Sequence, residues 1–89
     1  MPKFRKKPVV IEARRLPIAS ATRIGDIMEW CGSTEFWTKP GDGAVYGIIV
    51  PTLEGRHEAG WGDWIIKGIK GEFYPCKDDI FQATYEAAE

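Results

Sequence analysis

The sequence of 89 residues predicts an α+β fold: a small bent, mainly antiparallel sheet of about five to seven short strands, with one helix at about residues 22–31. Three observations carry this expectation. Residues 61–85, WGDWIIKGIKGEFYPCKDDIFQATY, form the stretch densest in aromatic and aliphatic residues and read as a hairpin plus a return strand. Elsewhere, short apolar runs of period two alternate with Gly and Pro turns. Only one segment has apolar residues at helical spacing, namely Ile24, Ile27, Met28 and Cys31.

In chain order, Pro8 can open an edge strand, and residues 9–16 alternate, with Val9, Ile11 and Ala13 on one side and Val10, Glu12, Arg14 and Leu16 on the other. Pro17 ends it. Thr22, or Ser20, is the expected N-cap of the helix, and Gly32 its stop. Trp30 lies off the main apolar stripe, so it either borders the core or is available to a partner or ligand. Phe36, Trp37 and Thr38 read as a short strand that the Pro40-Gly41-Asp42-Gly43 turn returns to residues 44–50. Both faces of residues 44–50 are apolar enough for a central strand, after which Pro51 imposes an edge or a bend.

Leu53, Glu54, Gly55 and Arg56 turn into His57, Glu58 and Ala59. Gly62 and Asp63 turn the chain into strand Trp64, Ile65, Ile66, and residues 68–71 reverse it into residues 72–76. Asp78 and Asp79 start a helical turn, and residues 82–85 alternate as a final short strand. The expected core comprises Leu16, Ile27, Val45, Ile49, Ile65, Phe73, Phe81 and Tyr85.

A chain of this length makes a single domain spanning 1–89, with 1–7 and 87–89 loosely held, and buries only roughly 60 to 65% of its unfolded surface. The modest core and the many aromatics predict a homo-oligomer. No apolar run reaches the roughly 18 to 20 residues of a membrane helix, and the basic start lacks the apolar segment of a signal peptide, so neither a membrane nor a secreted location is expected. Cys31 and Cys76 lie far apart beside a single His57, which gives no metal spacing; both read first as small buried apolar residues, with a disulfide or a reactive thiol as alternatives.

The net charge of −1 hides an asymmetry. Residues 1–23 carry seven Lys or Arg against Glu12, whereas residues 24–89 carry five against twelve Asp or Glu. The first segment attracts phosphate, while the acidic remainder opposes binding to long nucleic acid.

The segment GDWIIKGIKGEFYPCKDDIFQATYE, preceded by PTLEG, together with the opening PKFRKKPVVIEA, resembles a family of small accessory proteins of tailed phages and prophages, mostly without assigned function. The similarity covers both ends of the chain and does not extend to residues 17–44. Members usually have Pro where this chain has Trp61, and often Pro at Asp78, so the chain places an extra large aromatic beside Trp64. The resemblance implies a phage origin, the cytoplasm of an infected bacterium, and a non-structural role such as inhibiting a host or defence enzyme or sequestering a nucleotide immune signal.

Nucleophilic catalysis requires a nucleophile beside a base and an orienting group, and His57 is the only imidazole, with no Ser or Cys in a recognisable elbow. Adjacent carboxylates at Asp78 and Asp79 read as helix-start residues, and Asp63 as a turn residue bonded to backbone amides. No catalytic residue, metal ligand or cofactor is assigned, and the chain is expected not to be an enzyme. Binding of a small nucleotide-type ligand requires cations for phosphate and a flat ring for the base. Arg14, Arg15, Arg23, Lys67 and Lys70 supply the cations, with Arg14, Arg15 and Arg23 expected to clamp phosphate beside the helix N-terminus. Tyr46 or Trp61 would stack on the base, with Trp30, Trp64 and Tyr74 as further rings. Each ring alone reads first as core; their surplus over what so small a core can hide points to a ligand or equally to an oligomer interface.

Overall fold

The computed structural model describes residues 2–4, 9–18 and 24–87. Ser20, Thr22 and Arg23 lie outside the described residues, as do 1, 5–7 and 88–89 of the termini expected to be loosely held. The chain is α+β, with β1 (Glu12–Arg15), α1 (Gly25–Cys31), β2 (Glu35–Thr38), β3 (Val45–Thr52), β4 (Gly55–Gly60), β5 (Trp64–Lys67), β6 (Phe73–Cys76) and α2 (Asp78–Thr84). The expected single bent sheet is instead two three-stranded antiparallel sheets, ordered β1-β5-β6 and β2-β3-β4.

The prolines show how each sheet tolerates them. Pro51 lies inside β3 rather than ending it, two residues past the last β2 pair, Glu35↔Ile49, so β3 has a neighbour there only on the β4 side. Pro75 lies on β6, an edge strand. Gly32 closes α1 in the left-handed conformation at φ 77, and Ser33 N–H donates to Met28 O at 2.8 Å, which satisfies a terminal carbonyl.

The core is Leu16, Ile24, Cys31, Ile48, Val50, Ala59 and Ile65, with Ile27, Met28, Trp30, Trp61 and Phe73 packed around it. Leu16 and Ile65 are buried as expected, and Ile27, Phe73, Phe81 and Tyr85 are half-buried. On β3 the expected face is reversed: Ile48 and Val50 are buried, Ile49 is half-buried and Val45 is 38% exposed. Both faces are apolar, so alternation alone could not choose between them, and the register with β2 is further broken at Val45. Trp37 pairs with Gly47 while Thr38 pairs with Val45, which leaves Tyr46 as the extra residue and sets Val45 beyond it.

The expected strand at 82–85 is instead the end of α2, with residues 82–84 helical and Tyr85 its extended C-cap. Tyr85 N–H donates to Phe81 O at 2.9 Å, and the two rings, four residues apart, lie 5.1 Å from one another on one side of α2. Phe81 stacks on Trp64 with centroids 4.0 Å apart and planes at 6°. The aromatic spacing of four is a helical signal that the shorter alternation obscured. Both cysteines are free, Cys31 buried in the core and Cys76 half-buried.

Candidate functional site

The Trp61-Gly62-Asp63 turn ties the two sheets together. Gly62 adopts φ 86, which favours glycine, and its N–H donates to Pro17 O at 3.0 Å. Asp63, 8% exposed, accepts from Gly60 N–H at 2.9 Å and from Lys77 Nζ at 3.0 Å, so it bonds a backbone amide as its turn position predicts. Its own carbonyl accepts Leu16 N–H at 2.9 Å.

That last bond fixes the orientation of β1. Leu16 faces Asp63 in the same register as Arg14↔Ile65 and Glu12↔Lys67, so Glu12 and Arg14 share one face and Ala13 and Arg15 the other. Arg14 and Arg15 therefore do not clamp one phosphate from one side. Arg14 Cζ lies 4.5 Å from the ring of Trp30, whose edge meets Phe73 at 5.0 Å between centroids. Lys67 occupies the same face, opposite Glu12. Glu12 Oε1 lies 3.7 Å from Arg14 Nη2, with side chains 54% and 42% exposed, so this contact is weak.

Arg15 is engaged within the fold. Its Nε donates to Gly62 O at 3.0 Å, its Nη2 lies 3.1 Å from Asp78 Oδ2, and its guanidinium lies 5.9 Å from the Trp64 ring. Asp78 also accepts from Trp64 Nε1 at 2.9 Å and Gln82 Nε2 at 3.3 Å. These bonds to Trp64 and Gln82, aided by the charge of Arg15, hold its carboxyl below the usual carboxylate range. Asp78 thus pins α2 to β5 and β1.

Tyr46 and Trp61 lie at the β3 bulge. Trp61 Nε1 donates to Val45 O at 2.9 Å and its backbone N–H to Tyr46 O at 3.1 Å, so the indole is fixed against the core edge. Tyr46 donates its hydroxyl to Asp42, which raises the Tyr46 pKa and lowers that of Asp42. Lys39 Nζ lies 4.4 Å from the Tyr46 ring and 5.7 Å from that of Trp37, and the two rings are 5.6 Å apart. Lys39 and Trp37 form part of this corner without having been selected from sequence. A bulge is what brings them to Tyr46, and no residue pattern in the segment announces it.

Lys70 sits on the β5–β6 turn, where its backbone N–H donates to Glu72 Oε1 at 3.3 Å. Arg23 lies outside the described residues, and α1, only seven residues long with Ile24 as N-cap and no side-chain cap, supplies no developed anion site. The structure therefore places Arg14 over Trp30 with Lys67 on the same face of the sheet, Arg15 on the opposite face, Tyr46 and Trp61 at the β3 bulge and Lys70 on the β5–β6 turn.

Among the described residues two concavities stand out, the first sharing Phe73 with the Trp30 cluster. A cleft of about 330 Å³ between the β3–β4 hairpin and β6 is lined by Leu53, His57, Glu72, Phe73 and Tyr74 among others. A groove of about 680 Å³ separates residues 9–13 from α2, with Val9, Ile11, Ala13, Trp64, Phe81 and Tyr85 in its walls. Among the described residues no group of three or more His, Cys, Asp or Glu is placed to hold a metal ion, and no helix is long and apolar enough to cross a membrane. Comparison of the chain with protein-family models, with curated proteins and with solved structures finds no match.

Proposed function

We propose that the chain is a non-enzymatic accessory protein that binds and sequesters a small phosphate-bearing ligand of nucleotide type, acting against an immune signal in the cytoplasm of a phage-infected bacterium. The observation that carries this reading is the guanidinium of Arg14 held 4.5 Å over Trp30, with Lys67 on the same face. Stacking orders the arginine fork before a ligand arrives, so less side-chain freedom is lost when its N–H groups meet phosphate oxygens. Trp30 and Phe73 provide apolar ring surface beside the cations. The sequence resemblance to phage proteins supports the biological setting.

The test is mass spectrometry of small molecules released by heating protein purified from cells with active immune signalling, followed by titration with a nucleotide and cyclic-nucleotide panel. Wild type should release and rebind an unchanged nucleotide. Arg14→Ala should weaken binding about tenfold to a hundredfold, as expected for losing a charged hydrogen-bonding partner. Release of nothing from wild type, or chemical turnover of any panel member, rejects the reading.

Inhibition of a host or defence enzyme is the second reading, and the apolar side chains left in solvent favour it. Val10 is 81% exposed, Leu53 79% and Ile69 75%, a large share for so small a chain. A purified host or defence enzyme that binds the chain stoichiometrically and loses activity would establish it; a pull-down that recovers no stoichiometric protein would sink it.

A further inference from the structure

We propose that a second copy of this chain docks on the outer edge of β1, antiparallel and with Ala13 opposite the second copy's Ala13, so that two β1-β5-β6 sheets become one sheet of six strands. Among the described residues β1 pairs only with β5. Because Leu16 N–H donates to Asp63 O, the backbone groups of Glu12, Arg14 and Leu16 turn toward β5, and those of Ala13 and Arg15 turn outward. An open row of donors and acceptors is a template for a further strand.

The other edges are less suited. The bond from Gly68 N–H to Glu72 O, in register with Ile66↔Tyr74, turns Pro75 outward on β6, where it offers no N–H. On β4 the residues turned outward include Arg56 and Glu58, and Arg56 is already bonded to Glu35. The ladder between β2 and β3 is interrupted by the bulge.

Charge selects the register. The outward groups of one β1 meet those of another only when odd-numbered residues face odd-numbered residues. Centring on Glu12 or on Arg14 sets like charges against each other across the dyad. Centring on Ala13 sets Glu12 of each copy opposite Arg14 of the other, twice, in the close non-hydrogen-bonded pairs about 4.5 Å apart at Cα. Within one chain these side chains contact only weakly, at 3.7 Å, and are 54% and 42% exposed, so Glu12 is free to turn toward the partner, and Arg14 meets it by leaving the Trp30 ring.

The opposite face gives the apolar contribution. Ala13, Arg15, Trp64 and Ile66 share the face that carries α2, and the 680 Å³ groove lies between them and residues 9–11. Val9 and Val10 beside it are 47% and 81% exposed. The dyad places both grooves on one face of the joined sheet, where each copy narrows the other's solvent exposure. Arg14 belongs to both surfaces, so the Ala13→Cys cross-link, which leaves Arg14 in place, tests the pairing apart from the ligand reading.

Light scattering at high micromolar concentration tests the interface by charge reversal. Wild type should give twice its 10.0 kDa monomer mass. Glu12→Arg and Arg14→Glu should each give the monomer, and the double variant, which restores opposite charges, should recover the dimer. Ala13→Cys provides an arm independent of charge: a hydrogen-bonded antiparallel pair holds its Cα atoms about 5.5 Å apart, within disulfide reach, so oxidation should yield a covalent dimer that reductant dissolves. A wild-type monomer, single variants that stay dimeric, a folded double variant that stays monomeric, or no cross-link at Ala13→Cys would each overturn the pairing. Dimerisation without nucleotide release, or the reverse, separates the two proposals.

Discussion

Gly47 lies against the backbone of Ala59 on the neighbouring strand: a Cβ added to Gly47 would stand 1.8 Å from the carbonyl oxygen of Ala59 and 2.8 Å from Gly60 Cα. No rotamer change relieves a collision with backbone, so β3 and β4 would have to separate next to the Tyr46 bulge. Gly47→Ala should cost about 3 kcal/mol or more, a drop of roughly 12 °C or more in Tm for a domain of this size. Gly25, in the first turn of α1 with nothing within 4 Å of its added Cβ, provides the contrast. Gly25→Ala should raise stability by about 0.5 to 1 kcal/mol, read from the same thermal or denaturant melts.

Asp63 and Lys77 should respond unequally although they form one ion pair. The Asp63 side chain is 11% exposed and also accepts the Gly60 amide, while the Lys77 side chain is 63% exposed. Removing the acceptor strands a partly buried N–H, so Asp63→Ala should cost about 1 to 3 kcal/mol. Lys77→Ala removes an exposed partner and should stay within about 0.5 kcal/mol. Asp63→Asn retains an acceptor for Gly60 and should fall between them. Equal losses for Asp63→Ala and Lys77→Ala in urea melts would show that the pair, not the turn amide, holds the corner.

Both turns that organise the chain were legible in residue chemistry. Gly62 and Asp63 marked the corner and Gly32 the helix stop, because left-handed backbone and amide capping belong to few residue types. Strand faces were less legible. On β3, Val45 and Ile49 are as apolar as Ile48 and Val50, so residue type does not say which face is buried. The split into two sheets depends on pairings between β1 and β5, about fifty residues apart in sequence, which alternation cannot encode. For the candidate site, residue chemistry names side chains but not their grouping: Arg14 and Arg15 are adjacent in the chain and opposite in the sheet.

Tyr74 gives the fold an alkaline limit. Burial, and then its hydrogen bond with Tyr85, pushes its pKa from the ordinary 10.0 to about 12. The unfolded chain releases this proton first, so the contribution is complete below about pH 10 and is lost as pH rises toward 12. Urea midpoints should fall across that window, and Tyr74→Phe should flatten the part of the fall owed to this residue. Absorbance titration of phenolate should show a step near pH 12 in wild type that Tyr74→Phe removes. An unchanged titration curve in the variant would reject the assignment.

Arg14 and Arg15 should separate binding from stability. Arg15 bonds the Gly62 carbonyl at 3.0 Å and Asp78 at 3.1 Å, joining β1 to the turn and to α2. Arg15→Ala should therefore cost about 1 to 2 kcal/mol and loosen α2, seen as faster amide exchange at Phe81 and Tyr85. Arg14, with its side chain 42% exposed, contributes a ring contact and one weak ion pair, so Arg14→Ala should cost only about 0.5 to 1 kcal/mol. If the proposed ligand surface is correct, the variant with the smaller stability loss shows the larger loss of nucleotide. Were Arg15→Ala to abolish binding while Arg14→Ala left it intact, the surface beside Trp30 would be the wrong one, whatever the melts showed.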